Sequence, residues 1–123
     1  MKQHSPRFLT LVAESKSRIN EITPQILKNI IVQNQACFLV DVREDHEWLS
    51  GHIPNAIHIG KGVIERDIEK QIPDHDAKIV VYCSGGFRCA LVADSLQKMG
   101  YTNVHSLSSG MQGWIDSGYG IDQ

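Results

Sequence analysis

The sequence predicts an α/β fold, a central parallel sheet flanked by helices, with an extra helix at the N-terminus. Three observations lead there. Residues 37–42 and 79–82 are short, nearly continuous apolar runs, as expected of parallel strands covered on both faces. Stretches with apolar residues at helical spacing lie before, between and after them. Strands alternating with helices are the pattern of a sheet wound through crossover helices.

Taken in order, residues 6–20 place Phe8, Leu11, Val12, Ser15 and Ile19 on one helical stripe, with Arg7, Glu14, Lys16 and Arg18 for the wet face. Ser5 sits at the N-cap position and Pro6 at the first helical position. This amphipathic helix is expected to cover the core, making residues 1–20 an N-terminal extension of a domain spanning 21–123. Thr23 and Pro24 repeat the cap-plus-proline signature and open a second helix through about residue 34, with Ile26, Leu27, Ile30 and Ile31 buried. Strand 37–42 follows, with Cys37 expected in the core. A short helical turn at 44–50, a tight turn at 51–56 and a brief strand at 57–59 come next. Residues 61–72 carry Val63, Ile64, Ile68 and Ile72 at helical spacing and stop before Pro73. The central strand 78–82 precedes a helix that Gly100 ends, and strand 103–107 and helix 111–117 close the chain. The sequence shows no internal repeat, low-complexity tract or linker.

A chain of 123 residues is one domain by length and can bury a real core. Hydrophobic residues at 41% and charged residues at 21% describe an ordinary globule. A net charge of −2 and a pI near 6.3 give no general attraction to nucleic acid or membrane, so neither is expected as a partner and any anion affinity must be local. No apolar run is long enough to span a bilayer, and the N-terminus lacks a signal-peptide core. Three cysteines, an odd number, do not suggest a secreted disulfide framework. A reducing cytoplasm is the expected compartment.

The chemistry concentrates in residues 78–100. The apolar run delivers Cys83 into a short loop, Ser84-Gly85-Gly86-Phe87-Arg88, and a helical pattern follows at once. A strand ending in a loop that opens a helix aims several backbone N–H groups at one spot, and the helix dipole adds positive potential. A thiol there should ionise near neutral pH. Gly85 and Gly86 let the backbone turn and approach a ligand closely, and Arg88 adds a planar fork of donors for an oxyanion. Cys83 is thus the expected nucleophile, and Ser84, Gly85, Gly86, Phe87 and Arg88 the substrate-binding cradle. Core packing alone would need neither the glycines nor the arginine.

Three segments, in order, resemble the single-domain rhodaneses, the sulfurtransferase family. They are residues 39–44 with Glu47, Trp48 and 51–56; residues 81–88; and Gly100, Tyr101, Val104, Leu107, Gly110 and Trp114. The match spans about residues 21–117. Asn55 and Ser109 stand where the family often has glycine. Asn55 is a mild departure, because asparagine tolerates left-handed backbone, whereas Ser109 sits at the pocket rim and bears on substrate preference.

The resemblance implies a ping-pong reaction. Cys83 takes a sulfane sulfur from a small anionic donor, of thiosulfate or persulfide type, as a cysteine persulfide. A thiol, cyanide or protein acceptor then removes it. No cofactor or metal is needed, since the thiolate supplies the nucleophile. By the same resemblance Arg43, emerging near the same rim, holds the donor's charge or braces the loop. An ion pair with Asp41, Glu44 or Glu47 is the competing reading. Cys89, six positions after Cys83, either resolves or relays the persulfide or is a small helix residue. Asp41 and His52 read as hydrogen-bonders of the fold, Trp48 and Trp114 as packing residues. His46, His52 and His58 recur every six residues, which is no metal-ligand pattern.

Two other classes stay open. One is a non-catalytic rhodanese-type interaction module; the other is a cysteine phosphatase or arsenate reductase. Four residues separate Cys83 from Arg88. Cysteine phosphatases place five there to wrap a tetrahedral phosphate, so the count favours a terminal sulfur atom.

Overall fold

A computed structural model describes residues 3–123; the first two residues of the expected extension lie outside it. The elements run α1 (Pro6–Lys16), β1 (Asn20–Ile22), α2 (Pro24–Val32), β2 (Phe38–Asp41), α3 (Asp45–Ser50), β3 (Ile57–His58), α4 (Ile64–Gln71), β4 (Ile79–Tyr82), α5 (Arg88–Lys98), β5 (Val104–Leu107) and α6 (Gly110–Asp116). The strands form one five-stranded sheet in the order β1-β5-β4-β2-β3, and every pairing is parallel. The fold class predicted from the sequence is the one observed.

β4 lies at the centre of the sheet with all four residues buried, which is why it reads as a continuous apolar run. Side chains alternate between the two faces of a strand. Ile79, Val81 and Cys83 enter one core with Ile64 and Ile68 of α4 and Cys89, Val92, Ala93 and Leu96 of α5. Val80 and Tyr82 enter the other, with Leu27 and Ile30 of α2 and Met111 and Trp114 of α6. Cys83 and Cys89 therefore face each other across the layer between β4 and α5.

The extension is not peripheral to this arrangement. α1 packs on α5 through buried Val12 and Ser15. The Ser15 hydroxyl donates to Asp94 at 3.0 Å, and Arg18 grips the same carboxylate from two nitrogens at 3.1 and 2.7 Å. That guanidinium holds the Asp94 carboxyl below its ordinary range. Leu11, expected on the buried stripe, is instead half-exposed. β1 had no apolar signal: only Ile22 of its three residues is buried, and its pairing with β5 makes it a strand.

Other departures sit at element ends. Val63 precedes α4 rather than lying on its buried face, and is exposed. Cys37 precedes β2 and is half-buried rather than core, because strand cover begins only at Leu39. The two cap-plus-proline signatures also differ. The Thr23 hydroxyl accepts from the Ile26 N–H at 3.2 Å, whereas Ser5 occupies the N-cap position without a side-chain capping bond. Asn55 adopts φ 70°, the left-handed conformation expected of it.

Candidate active site

The carboxyl end of β4 and the start of α5 place the Cys83 sulfur where backbone donors converge. The Gly86 N–H donates to Sγ at 3.2 Å and the Cys89 N–H at 3.4 Å. One loop amide and one amide of the first turn of α5 thereby point at one sulfur. Beneath it, the Cys89 Sγ lies 3.4 Å away. With Cys83 ionised, the Cys89 thiol is the donor of that bond.

These groups lower the Cys83 pKa from its ordinary value to about 6. The Cys89 thiol contributes most, the two amides and the Arg88 charge add to it, and burial opposes it. Cys89 moves the other way, pushed well up by the adjacent thiolate and by its own burial. One proton thus serves two sulfurs and stays on Cys89. The Ser106 hydroxyl, fully buried in β5, donates to the Cys89 Sγ at 3.0 Å.

Two glycines make the loop possible. Gly86 has φ 96°, and a side chain there would strike the Ser108 carbonyl. Gly110, at φ 60°, lets α6 start against the loop, where a Cβ would fall 2.5 Å from the Cys83 carbonyl oxygen. The same approach allows the Met111 and Gln112 N–H groups to donate to the Cys83 and Ser84 carbonyls at 2.7 and 3.0 Å. Gly85 differs: a Cβ at that position would meet only open space, so steric need does not explain it.

Arg88 is not a free fork. Its guanidinium is bidentate to Glu47, at 2.7 and 3.0 Å, and also donates to the Ser84 Oγ at 3.1 Å. Ser84 in turn donates to Glu47 at 2.9 Å. Arg88 holds the Glu47 carboxyl down at about 2. Glu47 is the residue that sequence reasoning missed in this role. It lies in the first turn of α3 and its carboxylate also accepts the Glu44 N–H at 3.0 Å. The available signal was that β2 and β4 are adjacent parallel strands, so the helix after β2 starts beside the loop after β4.

Of the readings open for Arg43, the structure shows the ion pair with Asp41. Arg43 is buried, its guanidinium grips Asp41 at 2.7–3.1 Å, and it donates to the Gly51 carbonyl at 2.6 Å. It does not line the pocket over Cys83. Its partner Asp41 also accepts the Arg43 N–H at 2.9 Å, so the pair ties down the chain leaving β2. His52 bonds the Trp48 carbonyl at 3.1 Å, and its ring stacks on Trp48.

Above the sulfur opens a pocket of about 640 Å³ lined by Cys83, Ser84, Gly85, Phe87, Arg88 and Gln112 from the domain, and by Gln3, His4, Ser5 and Phe8 from the N-terminal segment. Phe87 forms edge contacts with His4 and Phe8, at centroid distances of 4.7 and 6.4 Å. The expected residues Cys83, Ser84, Gly85, Phe87 and Arg88 are therefore brought together around the pocket, and Gly86 reaches the Cys83 sulfur through its N–H. Among the described residues no cluster of His, Cys, Asp and Glu could hold a metal ion, and no helix is long and apolar enough to cross a membrane.

The molecule is an α/β protein whose cysteine loop lies at the carboxyl edge of a five-stranded parallel sheet, where open α/β sheets bind their ligands. Residues 23–117 match the model of the rhodanese-like domain, and the chain belongs to that family. It is 36% identical over 96 residues to "Putative sulfurtransferase YtwF" of Bacillus subtilis (strain 168), covering 78% of this chain and 90% of that one. To "Putative sulfur carrier protein YrkF" of the same organism it is 29% identical over 102 residues, 83% of this chain but only 54% of that protein. A solved structure from Rhodopseudomonas palustris CGA009, described as a protein of unknown function and "Possible Tyrosine Phosphatase", superposes with a TM-score of 0.86 at 30% identity. It covers 99% of both chains, so its likeness includes the N-terminal helix.

Proposed function

We propose that the protein is a sulfurtransferase that moves a sulfane sulfur from a donor to a thiophilic acceptor as a persulfide on Cys83. The observation that carries this reading is the Cys83 sulfur at the floor of the pocket, met by the Gly86 and Cys89 amides and the Cys89 thiol, which together lower its pKa. The thiolate attacks the outer sulfur of thiosulfate or of an organic persulfide, and sulfite or a thiolate leaves. The loop amides stabilise the charge on the transferred sulfur, and a thiol, cyanide or protein acceptor then attacks that outer sulfur and regenerates the thiolate. Family membership and the names of YtwF and YrkF support transfer of this kind, with no metal or organic cofactor required and a cytoplasmic setting consistent with a free thiolate.

Ion pairing bears on the donor. Arg88 is neutralised by Glu47 and Arg43 by Asp41, while the pocket is walled by Phe8 and Phe87. A site with little free positive charge and aromatic walls suits an organic persulfide better than a small dianion.

Phosphatase chemistry is the second reading, prompted by the description of the R. palustris structure. The four-residue spacing from Cys83 to Arg88, and an arginine already bidentate to a carboxylate, both weigh against it. The test is brief incubation with thiosulfate or an organic persulfide, followed by intact and peptide mass spectrometry. One extra sulfur on Cys83, absent in Cys83→Ser, is expected. No adduct with either donor would favour the interaction-module class, and turnover of an aryl phosphate would favour the phosphatase.

A further inference from the structure

We propose that Cys89 is a resolving residue, which discharges the Cys83 persulfide internally to give a Cys83–Cys89 disulfide and release the sulfur as hydrosulfide. This inference rests on the persulfide reading above and adds a second fate for the bound sulfur.

Three observations carry it. The two sulfurs are 3.4 Å apart in the reduced protein, so reaching a bond of roughly 2.05 Å takes a movement of about 1.4 Å. Their placement also suits displacement. Cys83 floors the open pocket, into which a second sulfur would project, while Cys89 is fully buried and lies outside the pocket. Attack from Cys89 on the Cys83 Sγ therefore comes from the interior, opposite the sulfur that leaves. Finally, fully buried Ser106 on β5, beside the central strand, directs its hydroxyl to the Cys89 sulfur at 3.0 Å. A hydrogen bond donated to that sulfur favours its thiolate, the attacking form. The burial that permits this also stops Cys89 from meeting an acceptor directly, which excludes it as a surface relay.

The step balances without an external oxidant. The Cys89 sulfur forms a bond to the Cys83 Sγ, and the bond between Sγ and the sulfane sulfur breaks. The electron pair of that bond leaves with the outer sulfur, which takes up the proton lost by Cys89 through pocket solvent and departs as hydrosulfide. The sulfane sulfur is reduced to sulfide while the two cysteine sulfurs are oxidised to a disulfide. Two molecules of a small thiol then restore the dithiol and leave as their own disulfide.

The experiment loads wild type, Cys89→Ser, Cys89→Ala and Ser106→Ala with thiosulfate or an organic persulfide. The donor is removed, and protein mass and free sulfide are followed. Wild type should lose its extra sulfur with one sulfide released per chain, becoming two hydrogens lighter than the reduced protein, with a peptide linking Cys83 to Cys89. Cys89→Ser, whose hydroxyl still donates to Cys83, should load and keep its sulfur at least about tenfold longer. Cys89→Ala should load more slowly and also keep it, and Ser106→Ala should discharge several-fold more slowly than wild type. Equal lifetimes in wild type and Cys89→Ser, with no linked peptide, would overturn this inference and leave the sulfurtransferase reading standing. No extra sulfur on wild type or either Cys89 variant would overturn both.

Discussion

Glu47 governs how the site presents charge. Its carboxylate caps the start of α3, accepts from Ser84 and binds both terminal nitrogens of Arg88. Glu47→Gln should leave Arg88 free to meet an anion, so KM for thiosulfate falls several-fold relative to that for an organic persulfide. The partly buried, bidentate pair contributes about 1 kcal/mol. Because the folded carboxyl is held at about 2, that contribution is complete above the ordinary carboxylate pKa and is lost as pH falls toward 2. Denaturation curves between those limits should show a pH slope in wild type that Glu47→Gln lacks. Cys83 titrates at about 6, so its alkylation by iodoacetamide should rise through that pH and plateau above it. Arg88→Ala removes the charge that favours the Cys83 thiolate beside its hydrogen bonds and leaves Glu47 without its cation nearby. Its alkylation midpoint should move to higher pH, and an unchanged midpoint would show that Arg88 does not act on the sulfur.

At the scale of elements, α1 both covers α5 and walls the pocket. One end is anchored by Asp94, which takes Ser15, Arg18 and, at 3.8 Å, Lys98, while the Gln97 amide donates to the Arg18 carbonyl at 2.8 Å. The other end delivers Ser5 and Phe8 to the pocket beside Phe87. Asp94→Ala leaves the buried Ser15 hydroxyl without its acceptor, so the melting temperature should fall. Because the anchor is lost, KM for an organic persulfide should rise as well. Phe8→Ala separates the two effects: it should raise that KM with little change in melting, because Phe8 is only half-buried. Equal KM values for Phe8→Ala and wild type would mean that α1 only covers the core. The loop after β4 is fixed from the opposite side, where α6 begins at Gly110 and its first amides bond the Cys83 and Ser84 carbonyls. Ser109, expected at the pocket rim, instead precedes α6 and does not line the pocket over Cys83.

For the molecule as a whole, the sequence was legible wherever a local pattern had a local cause. The continuous apolar run of β4 reflects burial on both faces, and the cap-plus-proline pairs mark the starts of α1 and α2. The Cys-Ser-Gly-Gly-Phe-Arg stretch states the turn that carries β4 into α5. The residues themselves thus determined an α/β sheet and a cysteine-bearing loop at the carboxyl end of its central strand. Tertiary structure alone decided which charges remain free. Arg88 went to Glu47, from a distant part of the chain, because the sheet order sets the ends of β2 and β4 side by side, while Arg43 was taken up by its near neighbour Asp41. It also placed Cys89 beneath Cys83, through the face that β4 turns toward α5, and made β1 a strand by pairing it with β5. Periodicity and turn chemistry act over a few residues, whereas these partners are brought together across the chain by the packing of the sheet and its helices.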